Sequence, residues 1–332
     1  VINEVGNVCI RLHLGKQGLI VSDEVTKEIA GNKVMEILTD CKFDINQMTI
    51  SDANQENITN VINHISETKA KFVLGVGGGR PIDVAKCASF ESNVPFLSIP
   101  TAASHDGIVS GRASINVDGK RKSLTARTPL AVVADTNIIA QSPYRLLAAG
   151  CGDVVGNITA VMDWKLAQRL KNEEFSSSAS MLADLTGRFM IENSDMIKPG
   201  IEDSAWYVAK ALVSSGVAMS IAGSSRPASG SEHKFSHALD EIAEKPALHG
   251  EQCGVGAIMM MYLHGGDWIK IREALINIGA PTTAKRLGVD DDAVIRALTY
   301  AHKINPDRYT ILGDNGLSHE AAENLAKITK VI

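Results

Sequence analysis

Lys71-Phe-Val-Leu-Gly-Val-Gly-Gly-Gly-Arg-Pro-Ile-Asp83 runs an apolar, β-branched segment straight into three glycines and then a proline. Residues 71–76 read as a buried strand, and Pro81 opens a helix over 81–90, where its missing N–H is no loss. Glycines let backbone amides approach a phosphate without a Cβ in the way. The helix that follows offers free N–H groups and the positive end of its dipole. A dinucleotide pyrophosphate suits such a turn, and Gly77, Gly78 and Gly79 are the residues to hold it. The run departs from G-x-G-x-x-G, because Arg80 takes the last glycine position. A tight strand-to-helix turn with no ligand gives the same pattern.

Outward from this turn the pattern alternates. Strands are expected at 19–22, 47–50, 95–100 and 131–134, and helices at 24–38 and 54–69, the latter from the spacing of Ile58, Val61, Ile62 and Ile65. Alternation of this kind implies a parallel, doubly wound sheet. Asp118-Gly119 between extended runs at 112–117 and 121–126 predicts a hairpin. Thr101-Ala-Ala-Ser-His-Asp-Gly107 follows the fourth strand. Strand ends of a parallel sheet converge on one crevice, so Ser104 and Asp106 either face that crevice or only shape a polar turn.

From about Ser142 the strand signals stop. Helices are expected at 154–170, 177–193, 203–222, 231–244, 251–263, 268–278, 290–302 and 318–329. We therefore expect an α/β dinucleotide-binding domain at 1–149 and an all-helical domain at 150–332, two domains being what 332 residues suggest. A net charge of −5 and 5% aromatic residues argue against a nucleic-acid binder. No segment reads as a membrane span, the apolar piece at 254–263 being too short. No signal-peptide pattern is visible, and the helical pattern close to Val1 suggests a short strand ahead of it. The five cysteines show no C-x-x-C spacing, which fits reduced thiols in the cytoplasm. Cys151 and Cys253 read first as small buried hydrophobes, with a thiol ligand as the alternative.

Three distant residues read as one metal site. Asp153 follows the glycine-flanked turn Gly150-Cys-Gly152, His233 lies in Ser229-Gly-Ser-Glu-His-Lys-Phe-Ser-His237, and His249 lies in Leu248-His-Gly-Glu-Gln252. Two imidazoles and a carboxylate leave a fourth position open on a divalent ion, which is what gripping a substrate oxygen requires. His233 and His237 share a helix face. Either both bind one ion, or one binds it and the other works on the substrate.

These segments carry a resemblance. Gly77-Gly-Gly-Arg-Pro-Ile-Asp83, Ile99-Pro-Thr-Ala-Ala-Ser-His-Asp106, Gly150-Cys-Gly-Asp-Val-Val-Gly-Asn157, Ser224 to His237 and Leu248-His-Gly-Glu-Gln252 make nearly the whole chain resemble archaeal sn-glycerol-1-phosphate dehydrogenases. These belong to the glycerol dehydrogenase, iron-type alcohol dehydrogenase and dehydroquinate synthase superfamily. The resemblance implies a dehydroquinate synthase-like fold. It implies zinc on Asp153, His233 and His249, and substrate contacts from Asp106, Asp153 and His237, the residues expected to be catalytic. It implies cofactor contacts from Gly79, Arg80, Pro81, Ile82 and Asp83, from Thr101, Ala102, Ala103 and Ser104, and from Ser110. His237 then neighbours the ion instead of binding it. Asn157 stands where iron-type enzymes carry a further ligand histidine, so three protein ligands favour zinc. Asp23, at the end of the first strand, either holds the ribose hydroxyls of NAD or simply starts a helix.

The reaction implied is the reversible NAD(P)H-dependent reduction of dihydroxyacetone phosphate to sn-glycerol 1-phosphate, for phospholipid backbones. Zinc is expected to polarise the carbonyl, and His237 or water to supply the proton. Arg226 is the first candidate for the phosphate, ahead of Lys122 and Arg188. A homo-oligomer is expected. The alternatives are a glycerol dehydrogenase, a carbocycle-forming lyase of the dehydroquinate synthase type, and a non-catalytic nucleotide- or metal-binding protein.

Overall fold

The computed structural model describes residues 1–117 and 119–332. It divides into two compact units, one of residues 1–103 and 107–142, the other of 104–106 and 143–332. The expected boundary at Ala149 falls inside a helix, Tyr144–Lys171.

The first unit is built on a five-stranded sheet of order β2-β1-β3-β4-β7, every pair parallel. Its strands are β1 (Gln17–Ser22), β2 (Asp44–Thr49), β3 (Phe72–Gly77), β4 (Phe96–Pro100) and β7 (Ala131–Val132). β3 and β4 are buried along their whole length, as central strands covered on both faces must be, which explains their unbroken apolar runs. Ile20, Leu74, Val76, Leu97 and Ile99 share one core with Val34 and Leu38 from the flanking helix. β5 (Arg112–Val117) and β6 (Lys120–Thr125) pair antiparallel as the expected hairpin. Its Asp118 lies outside the described residues.

The helix expected over 154–170 begins ten residues earlier, at Tyr144, while most other boundaries move by a residue or two, three of the starts for an identifiable reason. Asn54, Asp290 and Ser318 are capping residues, each accepting a backbone N–H of the first turn through its side chain, so these three helices start one position later. The helix expected over 24–38 contains a π-helical turn, Lys27–Gly31.

The second unit is helical throughout. Tyr144–Lys171 is its axis, with buried residues on all sides, and it takes in Gly150-Cys-Gly152, expected to be a turn. The reason is packing. A Cβ on Gly152 would lie 2.3 Å from the Gly250 carbonyl oxygen, and one on Gly250 would lie 2.0 Å from that of Ala149. The glycines let the helix His249–Leu263 press backbone to backbone against it. Among the described residues two helices, Tyr144–Lys171 and Glu202–Ala222, are long and apolar enough to cross a bilayer by length and composition. Within the fold, 89% of the apolar window of the first and 50% of that of the second are buried. An all-round apolar helix is equally the signature of a core helix.

Candidate metal centre and cofactor turn

Asp153 projects from the middle of the axial helix and is buried. His233 projects from the first turn of Ser231–Ile242, and His249 opens His249–Leu263. The second unit brings all three together. Nε2 of His233 and Nε2 of His249 each lie 3.6 Å from the same atom, Asp153 Oδ1. That oxygen is buried and has no hydrogen-bond partner. The two imidazole centroids are 4.9 Å apart. A buried, unpaired carboxylate oxygen facing two ring nitrogens is a costly arrangement that a cation resolves. One atom from each of Asp153, His233, His249 and Cys253 lies within 4.8 Å of the others, the metal-capable cluster found among the described residues.

The electrostatics agree with the geometry. Burial, with Asp106 alongside, pushes the Asp153 carboxyl well above the ordinary carboxylate range. Burial first, then His237, pushes His233 well below the ordinary imidazole value. Burial and then His233 do the same to His249. Without a cation the site therefore favours a protonated acid and neutral rings, and two added positive charges reverse the first of these while suiting the second.

Each histidine is fixed from behind. Glu232 Oε1 lies 2.9 Å from His233 Nδ1. Its carboxylate also accepts from Gly230 N and from Thr159 Oγ1, both at 2.6 Å. Burial, and then Asp163, raises Glu232 from 4.5 to about 7. Asp163 ties down the connector itself, accepting from the N–H and hydroxyl of Ser231 at 2.6 Å. His249 Nδ1 lies 3.1 Å from Ser236 Oγ, which accepts in turn from Gln252 Nε2 at 3.0 Å. Carboxylate and hydroxyl partners of this kind set which ring nitrogen points at an ion.

Asp106 and His237 stand at the edge of this cluster. The Asp106 N–H donates to Asp153 Oδ2 at 2.8 Å, and Ser215 Oγ donates to Asp106 Oδ2 at 3.1 Å. The His237 ring is 5.5 Å from that of His249, with Nδ1 at 3.8 Å from Asp240 Oδ2. Burial would raise Asp240, but hydrogen bonds from His237 and Gln252 overrule it and hold the carboxyl below its ordinary value. Asn157 is not in the cluster; its amide donates to Ser215 Oγ at 3.2 Å. Arg226 requires a correction. It is buried, forked on Glu173 and bonded to the Tyr309 carbonyl at 2.9 Å, so its guanidinium is already committed. Arg188 is paired with Asp184 on the surface of its helix. Lys122 lies on β6, in the first unit.

In the first unit, β3 ends at Gly77, whose φ of +152° favours glycine. Gly78 caps the helix Gly79–Glu91 without a side-chain cap bond, and a Cβ built on it meets nothing within 4 Å. The turn thus combines bare helix-start amides with open space. Thr101 N–H donates to the Gly77 carbonyl at 2.9 Å, which ties Thr101, Ala102 and Ala103 to the same sheet edge. Pro81 and Ile82 are buried, and Arg80 is exposed with its NH2 3.8 Å from Asp23 Oδ2. Asp23 caps its helix, accepting from Thr26 N at 2.8 Å. The Asp83 side chain turns inward to Lys86 Nζ at 3.3 Å and Ser114 N at 3.0 Å. Ser110 Oγ accepts from Arg112 N, and Ser104 belongs with the second unit.

Comparison with known proteins decides the family. The chain is 57% identical over 332 residues to "Glycerol-1-phosphate dehydrogenase [NAD(P)+]" of Methanosarcina acetivorans, covering all of this chain and 93% of that one. It is 55% identical to the protein of the same name from Methanothermobacter thermautotrophicus, covering 95% of it. The chain belongs to the glycerol-1-phosphate dehydrogenase family. The iron-containing alcohol dehydrogenase family profile matches residues 1–143. Among solved structures, glycerol dehydrogenase from Schizosaccharomyces pombe superposes with a TM-score of 0.82 at 18% identity, over 98% of this chain and 86% of that one. Sulfoacetaldehyde reductase from Bifidobacterium kashiwanohense, solved with NAD+, does so with 0.78 at 15%, over 99% and 94%. At such identities the likeness establishes the fold, an α/β sheet unit followed by a helical unit of the dehydroquinate synthase-like type, as expected.

In this glycerol-1-phosphate dehydrogenase family member the sequence does not single out Glu232, Ser215 or His105, whose ring lies 6.3 Å from that of His249. Cys253 reads there first as a small buried hydrophobe. Two signals were available: Glu232 is the chain neighbour of His233, and Cys253 stands four residues after His249 on one helix.

Proposed function

We propose that the chain catalyses the reversible NAD(P)H-dependent reduction of dihydroxyacetone phosphate to sn-glycerol 1-phosphate in the cytoplasm, with zinc as the resident ion. Support for the reaction comes from the full-length identity to proteins of that name. Support for the ion comes from a single observation: the buried, partnerless Asp153 Oδ1 facing His233 and His249. Imidazole and carboxylate donors suit zinc. Held there, the ion would supply Lewis acidity to the substrate carbonyl.

The chain's own residues do the rest. Asp153 contributes charge and, through Oδ2, fixes the backbone of Asp106. Asp106 orients a substrate hydroxyl through its carboxylate, itself steadied by Ser215. His237 is half-buried beside the cluster and backed by Asp240, so it can carry a proton between solvent and the substrate oxygen. Glu232 and Ser236 hold the two ring tautomers. In the first unit, the bare amides of the Gly77–Gly79 turn and the open space at Gly78 suit a pyrophosphate, with Thr101 to Ala103 beside it. Asp23, whose Oδ2 lies 3.8 Å from the Arg80 guanidinium, would accept a ribose hydroxyl and thereby favour NAD. With Arg226 bonded to Glu173, other groups would hold the phosphate.

The test is metal analysis of purified protein together with NADH and NADPH consumption on dihydroxyacetone phosphate and on dihydroxyacetone, with chiral analysis of the product. Equal rates on both substrates would point to a glycerol dehydrogenase. Phosphate release without net NADH change would point to the lyase.

A further inference from the structure

The ion site has a fourth donor that the three-residue reading does not use. Cys253 lies one turn beyond His249 on the same helix and is fully buried. Its Sγ is 3.5 Å from His249 Nε2 and 3.9 Å from Nδ1, and it falls inside the same 4.8 Å cluster as the carboxylate and the two imidazoles. Of the other polar groups nearby, Asn157 is bonded to Ser215, and the Asp106 carboxylate to the same hydroxyl. The partnerless Asp153 Oδ1 points into the space that the thiol shares with the two rings. Backbone contact fixes this placement. Gly254, next to Cys253, packs on Gly152, and Gly250, next to His249, packs on Ala149, so the Cα–Cβ bond of Cys253 is held in place relative to Asp153.

We propose that Cys253 is a fourth protein ligand of the resident ion, making the substrate-free site a Cys, two His and Asp set. This rests on the assignment of Asp153, His233 and His249 to that ion and goes beyond it. On loading, a metal–sulfur bond forms and the thiol proton passes to solvent. Two consequences follow. A thiolate selects a thiophilic ion, so zinc or cobalt is retained in preference to magnesium or manganese. Four protein donors also fill a tetrahedral ion, so a substrate oxygen must either add as a fifth donor or displace the sulfur.

The experiment is X-ray absorption on the zinc-loaded full chain, with optical spectra of its cobalt-loaded form, for the wild type, Cys253→Ser and Cys253→Ala. Wild type should show one sulfur neighbour at about 2.3 Å and a strong near-ultraviolet sulfur-to-cobalt charge-transfer band. Both variants should lose these signals, with zinc affinity falling roughly tenfold or more. A fully loaded wild-type protein with only nitrogen and oxygen neighbours overturns the proposal while leaving the three-ligand site standing. Zinc uptake that is unchanged in Asp153→Asn and His233→Ala overturns both. The wild-type spectra decide the question even if a variant does not fold.

Discussion

The turn at Gly77–Gly79 and the contact between Gly152 and Gly250 both depend on glycine, in opposite senses. At the turn, glycine leaves space: a Cβ on Gly78 meets nothing within 4 Å. Between the helices, glycine removes space: a Cβ on Gly250 would lie 2.0 Å from a backbone oxygen. The first arrangement leaves helix-start amides bare, as the proposed cofactor contact requires. The second draws two helices together so that the side chains of Asp153, His249 and Cys253 meet. Open glycine marks a binding surface, and closed glycine marks the scaffold of a side-chain site.

The largest effect should come from the side-chain site. His233→Ala should lose the bound ion and on the order of a thousandfold in turnover, about 4 kcal/mol of barrier, read from metal content and NAD(P)H consumption. Wild-type turnover in metal-free protein would end the distinction drawn between the two regions. Gly250→Ala should destabilise the fold by about 3 kcal/mol in urea denaturation, because a backbone carbonyl cannot rotate out of the way. Glu232→Gln should weaken metal affinity about 10- to 100-fold.

The same variant has a pH signature in the metal-free protein. The fold raises Glu232 from 4.5 to about 7. In that window the native state holds a proton that the unfolded chain has lost, so this group's contribution to stability falls as pH rises. Melting temperatures measured across the window should fall more in wild type than in the glutamine variant. Gly77→Ala should cost about 1–3 kcal/mol for its backbone conformation, since its φ is +152° and Thr26 crowds the added carbon. The smallest effect on folding sharpens the contrast. Gly78→Ala should leave stability within about 0.5 kcal/mol yet raise the KM for NAD(P)H several-fold. A large loss of stability there would mean that the open space does not exist in solution.

The two regions also differ in how far the sequence revealed them. The sheet was legible because each strand is an unbroken apolar run between turn residues, and the glycine turn because its parts are contiguous. The trio Asp153, His233 and His249 could be nominated from residue type, and the fold brings it together. Two local readings failed where distant packing overrode local signals. Gly150-Cys-Gly152 has the composition of a turn but lies inside a helix, because Gly250 packs on it. Arg226 looks like a free phosphate binder, but Glu173, far away in the chain, takes its fork. The apolar content of Tyr144–Lys171 is spread around the whole helix because neighbours cover every side.

By itself the sequence determined the order of strands and helices, the parallel character of the sheet and the residue types able to hold an ion. These follow from periodicity and chemistry that act over a few residues. Only the tertiary structure decided that the thiol of Cys253 lies within 4.8 Å of the Asp153, His233 and His249 donor atoms, that Glu232 stands behind His233 and that Asp83 faces inward to Lys86. Each of these is a contact of a few ångströms set by how helices and strands pack, and no local pattern encodes the distance between two such surfaces.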